Sequence, residues 1–111
     1  MSYFPNATSE VLAIGEQTGV SVNTPTTIVT VPANGRRYIT GIVCTGEVNA
    51  RWEVFINSVR KATKRTTDRN VEFEFSTPFE LAGSTVLDVK ATHHGPDAGA
   101  DFQATVFGFT G

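Results

Sequence analysis

The chain has 111 residues, 40% hydrophobic and 18% charged, with a formal net charge of −2; this is the balance of one folded domain and not of a disordered protein. A single cysteine, Cys44, excludes an internal disulfide framework, and no apolar run reaches the length of a membrane span. The start has no Lys or Arg and Val11-Leu12-Ala13-Ile14 is too short for an h-region, so the reading is a soluble protein made in the cytoplasm without a secretory leader.

Residues 1–10 show no clean period and read as an N-terminal arm, whose Tyr3-Phe4-Pro5 is an odd choice for a solvated tail. An Asn6-Ala7-Thr8 sequon lies in the arm and reads as a chance match in the absence of a leader. Residues 11–111 form the domain. Val20–Val22 is a weak first strand, and Thr27–Val31 is a β-branched one that stops at Pro32-Ala33-Asn34-Gly35, a turn whose Asn-Gly favours positive φ. Arg37–Cys44 follows, closed by Gly46, and then Ala50–Asn57, which alternates with Trp52, Val54 and Ile56 inward and Arg51, Glu53 and Phe55 outward. A turn at Asn57-Ser58 leads to Val59–Thr66, a polar strand that reads as a charge-protected edge. Val71, Phe73 and Phe75 alternate with Glu72, Glu74 and Ser76; Thr77-Pro78 bends the chain before Phe79 and Leu81 turn back inward. After Ala82-Gly83-Ser84, Leu87, Val89 and Ala91 oppose Asp88 and Lys90, and a loop over Gly95–Ala100 precedes a last strand, Phe102–Phe109. No helical stripe of ten residues is present. The prediction is an all-β fold, a single-domain antiparallel β-sandwich with jelly-roll or immunoglobulin-like connectivity.

Two of these strands carry large apolar groups on both faces. In Arg37–Cys44, Ile39 and Val43 compete with Tyr38, Ile42 and Cys44; in the last strand, Ala104 and Val106 compete with Phe107 and Phe109. A sandwich strand with one wet face is apolar only at alternate positions, so a second copy or another protein is expected to cover the excess. Charge is also split along the chain. Residues 36–69 hold eight bases against three acids, and residues 70–111 hold one base against six acids. Such a split suits self-complementary docking and equally suits charge pairing across one wet sheet. The candidate interface residues are Tyr3, Phe4, Tyr38, Ile42, Phe107 and Phe109, with the bases Arg36, Arg37, Arg60, Lys61, Lys64 and Arg65.

Chemistry is poorly represented. His93-His94-Gly95-Pro96-Asp97 with Asp101 is the one cluster of potential ligands, but adjacent strand histidines point apart and the loop offers fewer donors than zinc or calcium takes. It reads as a Gly/Pro turn, and no cofactor is expected. Cys44 with a histidine and an aspartate could be drawn as a nucleophile set, yet it sits in an apolar strand with no Gly-rich elbow and reads as a buried or interface thiol. The basic hairpin around Arg60, Lys61, Lys64, Arg65 and Arg69 could contact phosphates. Residues 58–70 contain no aromatic for base stacking, so it reads as a solvated edge or a patch for acidic protein. Glu72 and Glu74 read as solvated neighbours on one strand.

Val31-Pro32-Ala33-Asn34-Gly35-Arg36-Arg37-Tyr38-Ile39-Thr40-Gly41-Ile42, then Trp52-Glu53-Val54-Phe55-Ile56-Asn57, Phe79-Glu80-Leu81-Ala82-Gly83-Ser84-Thr85-Val86 and Ala100–Phe109 resemble, in that order, small virion proteins of tailed bacteriophages. The resemblance spans about residues 28–109. It is strongest to head decoration (cement) proteins, and it implies a homo-oligomer, a trimer for that family, on the outer capsid surface of the virion. The implied partner is the major capsid protein, with no nucleic acid and no membrane involved, and the implied role is to clamp neighbouring capsomers without catalysis. The alternative is a tail or fibre module that binds a host-surface glycan, a task that needs an exposed aromatic shelf with polar partners.

Overall fold

Eight strands build two four-stranded antiparallel sheets in the computed structural model, which describes residues 10–33, 35–65, 70–95 and 99–110. They are β1 (Glu10–Val20), β2 (Thr26–Val31), β3 (Arg37–Gly46), β4 (Ala50–Ile56), β5 (Val59–Arg65), β6 (Asn70–Leu81), β7 (Leu87–His93) and β8 (Ala100–Thr110). Sheet A runs β1-β8-β3-β6 and sheet B runs β2-β7-β4-β5. The chain changes sheet at every connection except the β4–β5 hairpin. That is jelly-roll connectivity; an immunoglobulin arrangement would keep more consecutive strands together.

The core lies between the sheets. Trp52 and Phe102 meet edge to face at 5.6 Å, and Ile39, Ile42, Leu81, Leu87, Val89 and Val106 are fully buried around them. Each such aliphatic side chain contributes about 1.5–3 kcal/mol of transfer free energy. Trp52, Val54 and Ile56 turn inward and Arg51, Glu53 and Phe55 face outward, as their alternation predicts. The β4–β5 turn uses Asn57 and Ser58 at φ 49° and 68°, the positive angles a tight hairpin demands. Asn57 locks it further, its side-chain oxygen accepting from Val86 N at 3.0 Å while its own N–H donates to Val86 O at 2.9 Å.

Three strands differ from their sequence reading. β1 is an eleven-residue edge strand, although only Val20–Val22 reads as strand in that region; Val20 ends it, and Val22 makes an isolated parallel bridge with His93. Its register shifts between Val11 and Ala13 and again between Gln17 and Val20, so the period-2 signal is broken twice. Gly15 lets β1 close onto β2: a Cβ there would lie 1.9 Å from Ile28 O.

β3 resolves its two-faced apolar pattern with a bulge between Ile39 and Gly41. Before it, Arg37 and Ile39 point inward; after it, Ile42 and Cys44 do. An inserted residue moves the following side chains to the opposite face, so Ile39 and Ile42 both enter the core. β6 is continuous through Thr77-Pro78, with residues 75–78 spanning the same irregularity opposite Thr40, and the proline is tolerated because β6 is an edge.

Candidate interaction face

The pairing registers place outward side chains in rows across each sheet. On sheet A, read from β6 to β1, successive rows are Glu80–Tyr38–Phe109, then Glu74–Gly41–Phe107–Val11, then Glu72–Val43–Thr105–Ile14, then Asn70–Thr45–Gln103–Glu16. The apolar content lies on β3, β8 and β1. Tyr38 and Phe109 stack at 5.1 Å with 22° between their planes, and both are half-buried, as is Phe107. Val11, Ile14 and Val43 are 50%, 61% and 37% exposed. Carboxylates border this stripe along β6. A shallow open groove of about 570 Å³ crosses the face where Gly41 offers no side chain, between Phe107, Val43, Glu72 and Glu74.

Sheet B is built from the same pleat with other residues. Its rows, from β2 to β5, read Thr30–Asp88–Phe55–Arg60 and Thr27–Lys90–Glu53–Thr63, followed by Thr92–Arg51–Arg65 on the inner strands and β5. Glu53 is buried and bridges Arg60 at 3.0 Å and Arg51 at 3.5 Å. Lys90 sits 4.8 Å from the centre of the Phe55 ring, and the Thr30 hydroxyl donates to Asp88 at 2.6 Å. Nearly every large group on this face meets a partner from its own chain.

The structure separates the predicted interface residues. Tyr38, Phe107 and Phe109 share the outer face of sheet A. Ile42 does not: it is fully buried and belongs to the core, a consequence of the β3 bulge. Arg37 is likewise not a surface base; it is 6% exposed, inward-facing, and its Nε and Nη2 find no hydrogen-bond acceptor among the described residues. Arg36 is exposed and reaches Glu80 at 4.0 Å. Arg60 is tied to Glu53. Lys64 donates to Glu72 O at 2.6 Å and lies 5.3 Å from the Phe73 ring centre, spanning the open side of the sandwich from β5 to β6. Lys61 and Arg65 are exposed on the β5 edge, and no ion pair links either to a described residue. Tyr3, Phe4 and Asn6 fall outside the described residues, as do Asn34, Arg69 and Asp97.

Sequence reasoning missed Val11 and Ile14 as surface groups because it missed β1, and it passed over Val43, which the bulge turns outward. The Val11–Ile14 apolar run was the available signal. It also treated Glu72 and Glu74 as solvated neighbours without placing them beside an apolar stripe.

The other constellations take definite places. His93 is fully buried, with Nδ1 accepting from Gly95 N at 2.9 Å and its ring edge-on to Phe102 at 6.0 Å. The carboxylate of Asp101 accepts from Gly19 N at 3.0 Å, and its backbone N–H donates to Glu47 at 2.7 Å. Among the described residues no group of three His, Cys, Asp or Glu side chains is placed to hold a metal ion. Cys44 is a core residue whose thiol is pushed up to about 12 by burial, an effect that Lys64 partly offsets. Such a thiol is a poor nucleophile. No protein-family model matches this chain, and a search of curated proteins finds no match to it.

Proposed function

We propose that this chain is a capsid decoration (cement) protein of a tailed bacteriophage, which associates as a homo-oligomer on the outer head surface and stabilises contacts between capsomers. One observation carries the reading: the outer face of sheet A presents Tyr38, Phe107, Phe109, Val11, Ile14 and Val43 as a contiguous apolar stripe, over which the described residues place no further layer. Stripes of this kind on small soluble domains mark protein contacts. The mechanism is mechanical. Covering the stripe with a second copy and with the shell recovers about 25 cal/mol per Å2 of apolar area, less the cost of association. Family resemblance adds the trimer and the major capsid protein as partner.

Sedimentation tests it directly. The parent protein is expected to sediment as an oligomer and to bind emptied phage heads, and Tyr38→Asp and Phe109→Asp are expected to sediment as folded monomers that no longer bind. A monomeric parent that ignores capsid shells overturns the reading. The groove over Gly41, walled by Phe107 and bordered by Glu72 and Glu74, favours a second reading, a tail or fibre module for a host glycan. Hits on a glycan array that vanish with Phe107→Ala would establish it in place of the first.

A further inference from the structure

The outer face of sheet A is ill-suited to meet another copy of itself. It carries Glu16, Glu72, Glu74 and Glu80, and among the described residues the one ion pair on this face is Arg36 with Glu80, at 4.0 Å. A two-fold, face-to-face contact has two ways to overlay the apolar stripes. One lays the β6 carboxylates on their own copies, where they repel. The other lays Glu72 and Glu74 on Val11 and Ile14 of the second copy, where they lose water and gain no counter-ion. A partner for this face needs an apolar body flanked by cations.

This chain carries such a surface elsewhere. The β5 edge exposes Val59, at 55%, together with Lys61 and Arg65, neither of which is ion-paired to a described residue. The aliphatic stems of Lys and Arg cover apolar surface while their heads stay available to carboxylates. β5 also lies at the rim of sheet B, accessible to a neighbour. We infer that copies associate head to tail, the basic β5 edge of one protomer lying on the apolar, carboxylate-bordered face of sheet A in the next, with Lys61 and Arg65 opposite Glu72 and Glu74. The inference rests on the oligomeric reading above and specifies its geometry. A heterologous contact uses two different patches on each copy, so it closes into a ring or propagates as a filament, and never stops at a two-fold dimer.

Charge reversal tests the geometry on the intact chain. Lys61→Glu with Arg65→Glu is expected to give a folded monomer by sedimentation, and so is Glu72→Lys with Glu74→Lys. Combining all four substitutions restores the pairing with its signs exchanged, and the oligomer is expected to return. Raising salt from about 0.05 M to about 0.5 M is expected to weaken parental association about tenfold or more, since exposed pairs are screened. Recovery in the fourfold variant cannot come from damaged folding of either double variant. An oligomer that survives Lys61→Glu with Arg65→Glu, or a fourfold variant that stays monomeric, overturns the head-to-tail arrangement while leaving self-association standing. A monomeric parent instead removes the oligomeric reading itself.

Discussion

Through the middle of sheet B the outward row reads Thr27, Lys90, Glu53 and Thr63, while a central row of sheet A reads Glu74, Gly41, Phe107 and Val11. The two sheets share strand number, pairing sense and core. On sheet B the buried carboxylate and the large ring are matched within the chain: Glu53 has two guanidinium partners, and the Phe55 ring has an ammonium above it. On sheet A the aromatic groups match one another, Tyr38 against Phe109, and the aliphatic groups beside them stay open to solvent. A self-satisfied face has little to gain from a partner. An incompletely covered one gains transfer free energy from any surface that fits it. The asymmetry therefore favours the outer face of sheet A, over the self-paired outer face of sheet B, as the one that the proposed assembly covers.

The largest expected effect comes from Gly108, which lies between Phe107 and Phe109 on β8. A Cβ there would stand 1.9 Å from Tyr38 O and 2.9 Å from Leu12 Cδ1, so β3 and β8 would have to separate. Gly108→Ala is expected to cost about 3 kcal/mol in urea unfolding, the upper part of the range for overpacked sites. A loss below about 1 kcal/mol would mean that β8 shifts freely and the aromatic face has no fixed spacing. Next, one carboxylate from each face sets the contrast. Glu53→Gln removes the charge that holds Arg51 and Arg60 and is expected to cost about 2 kcal/mol, whereas Glu74→Gln on the exposed border is expected to change stability by less than about 0.5 kcal/mol. Equal costs at the two positions would erase the distinction between a self-paired and an open face.

Much of this architecture is legible in the amino-acid sequence. Strands β4 and β7 announce themselves by alternation, β2 by its β-branched run and β5 by its charged edge, and Trp52 points inward as its neighbours require. β1 was not legible, because Gly15, the Glu16-Gln17-Thr18 run and two register shifts leave no stretch with a steady period. In β3 the sequence shows too many apolar residues for one face but not how the conflict is settled. Gly41 inside the strand is a mark shared by bulges and by close backbone approaches, so it does not say which side chains change face, and the bulge alone sends Ile42 into the core and Val43 out. The charge split was visible, yet its meaning depended on topology. Glu53 pairs with Arg51 and Arg60 inside the basic stretch itself, Arg36–Glu80 joins the two stretches, and Glu72, Glu74 and Glu80 lie in the other sheet because β5 and β6 belong to different layers. Strand order is a long-range property, and local patterning does not encode it.

Cys44, directly beneath the Val43–Thr105 row, gives sheet A a pH signature. Its folded value of about 12 lies above its ordinary 9.0, so the folded state keeps a proton that the unfolded state releases. That stabilisation is fully present below pH 9 and is lost as pH rises toward 12. Cys44→Ala is expected to flatten the decline in unfolding free energy above pH 9, by about 1 kcal/mol one unit into the window. Parallel slopes for parent and variant would show that Cys44 ionises without opening the sheet.

The smallest effect reads the basic end of sheet B. His94 is exposed just past β7, its N–H donating to Asn49 O at 3.0 Å, and its imidazole is held below the ordinary 6.5 by local desolvation first and then by Arg65, Arg51 and His93. A lowered value in a base means that the folded state binds fewer protons, so this contribution to stability is present above 6.5 and declines as pH falls through the lowered value. Because desolvation leads, Arg65→Gln is expected to return only part of the shift when the ring protons are followed by NMR. Association supplies the sharper use. If Arg65 of one copy meets Glu72 and Glu74 of the next, its field at His94 is neutralised on assembly, and the imidazole titrates higher in concentrated solution than in dilute. A titration independent of protein concentration, in a preparation that does oligomerise, would place Arg65 outside the contact.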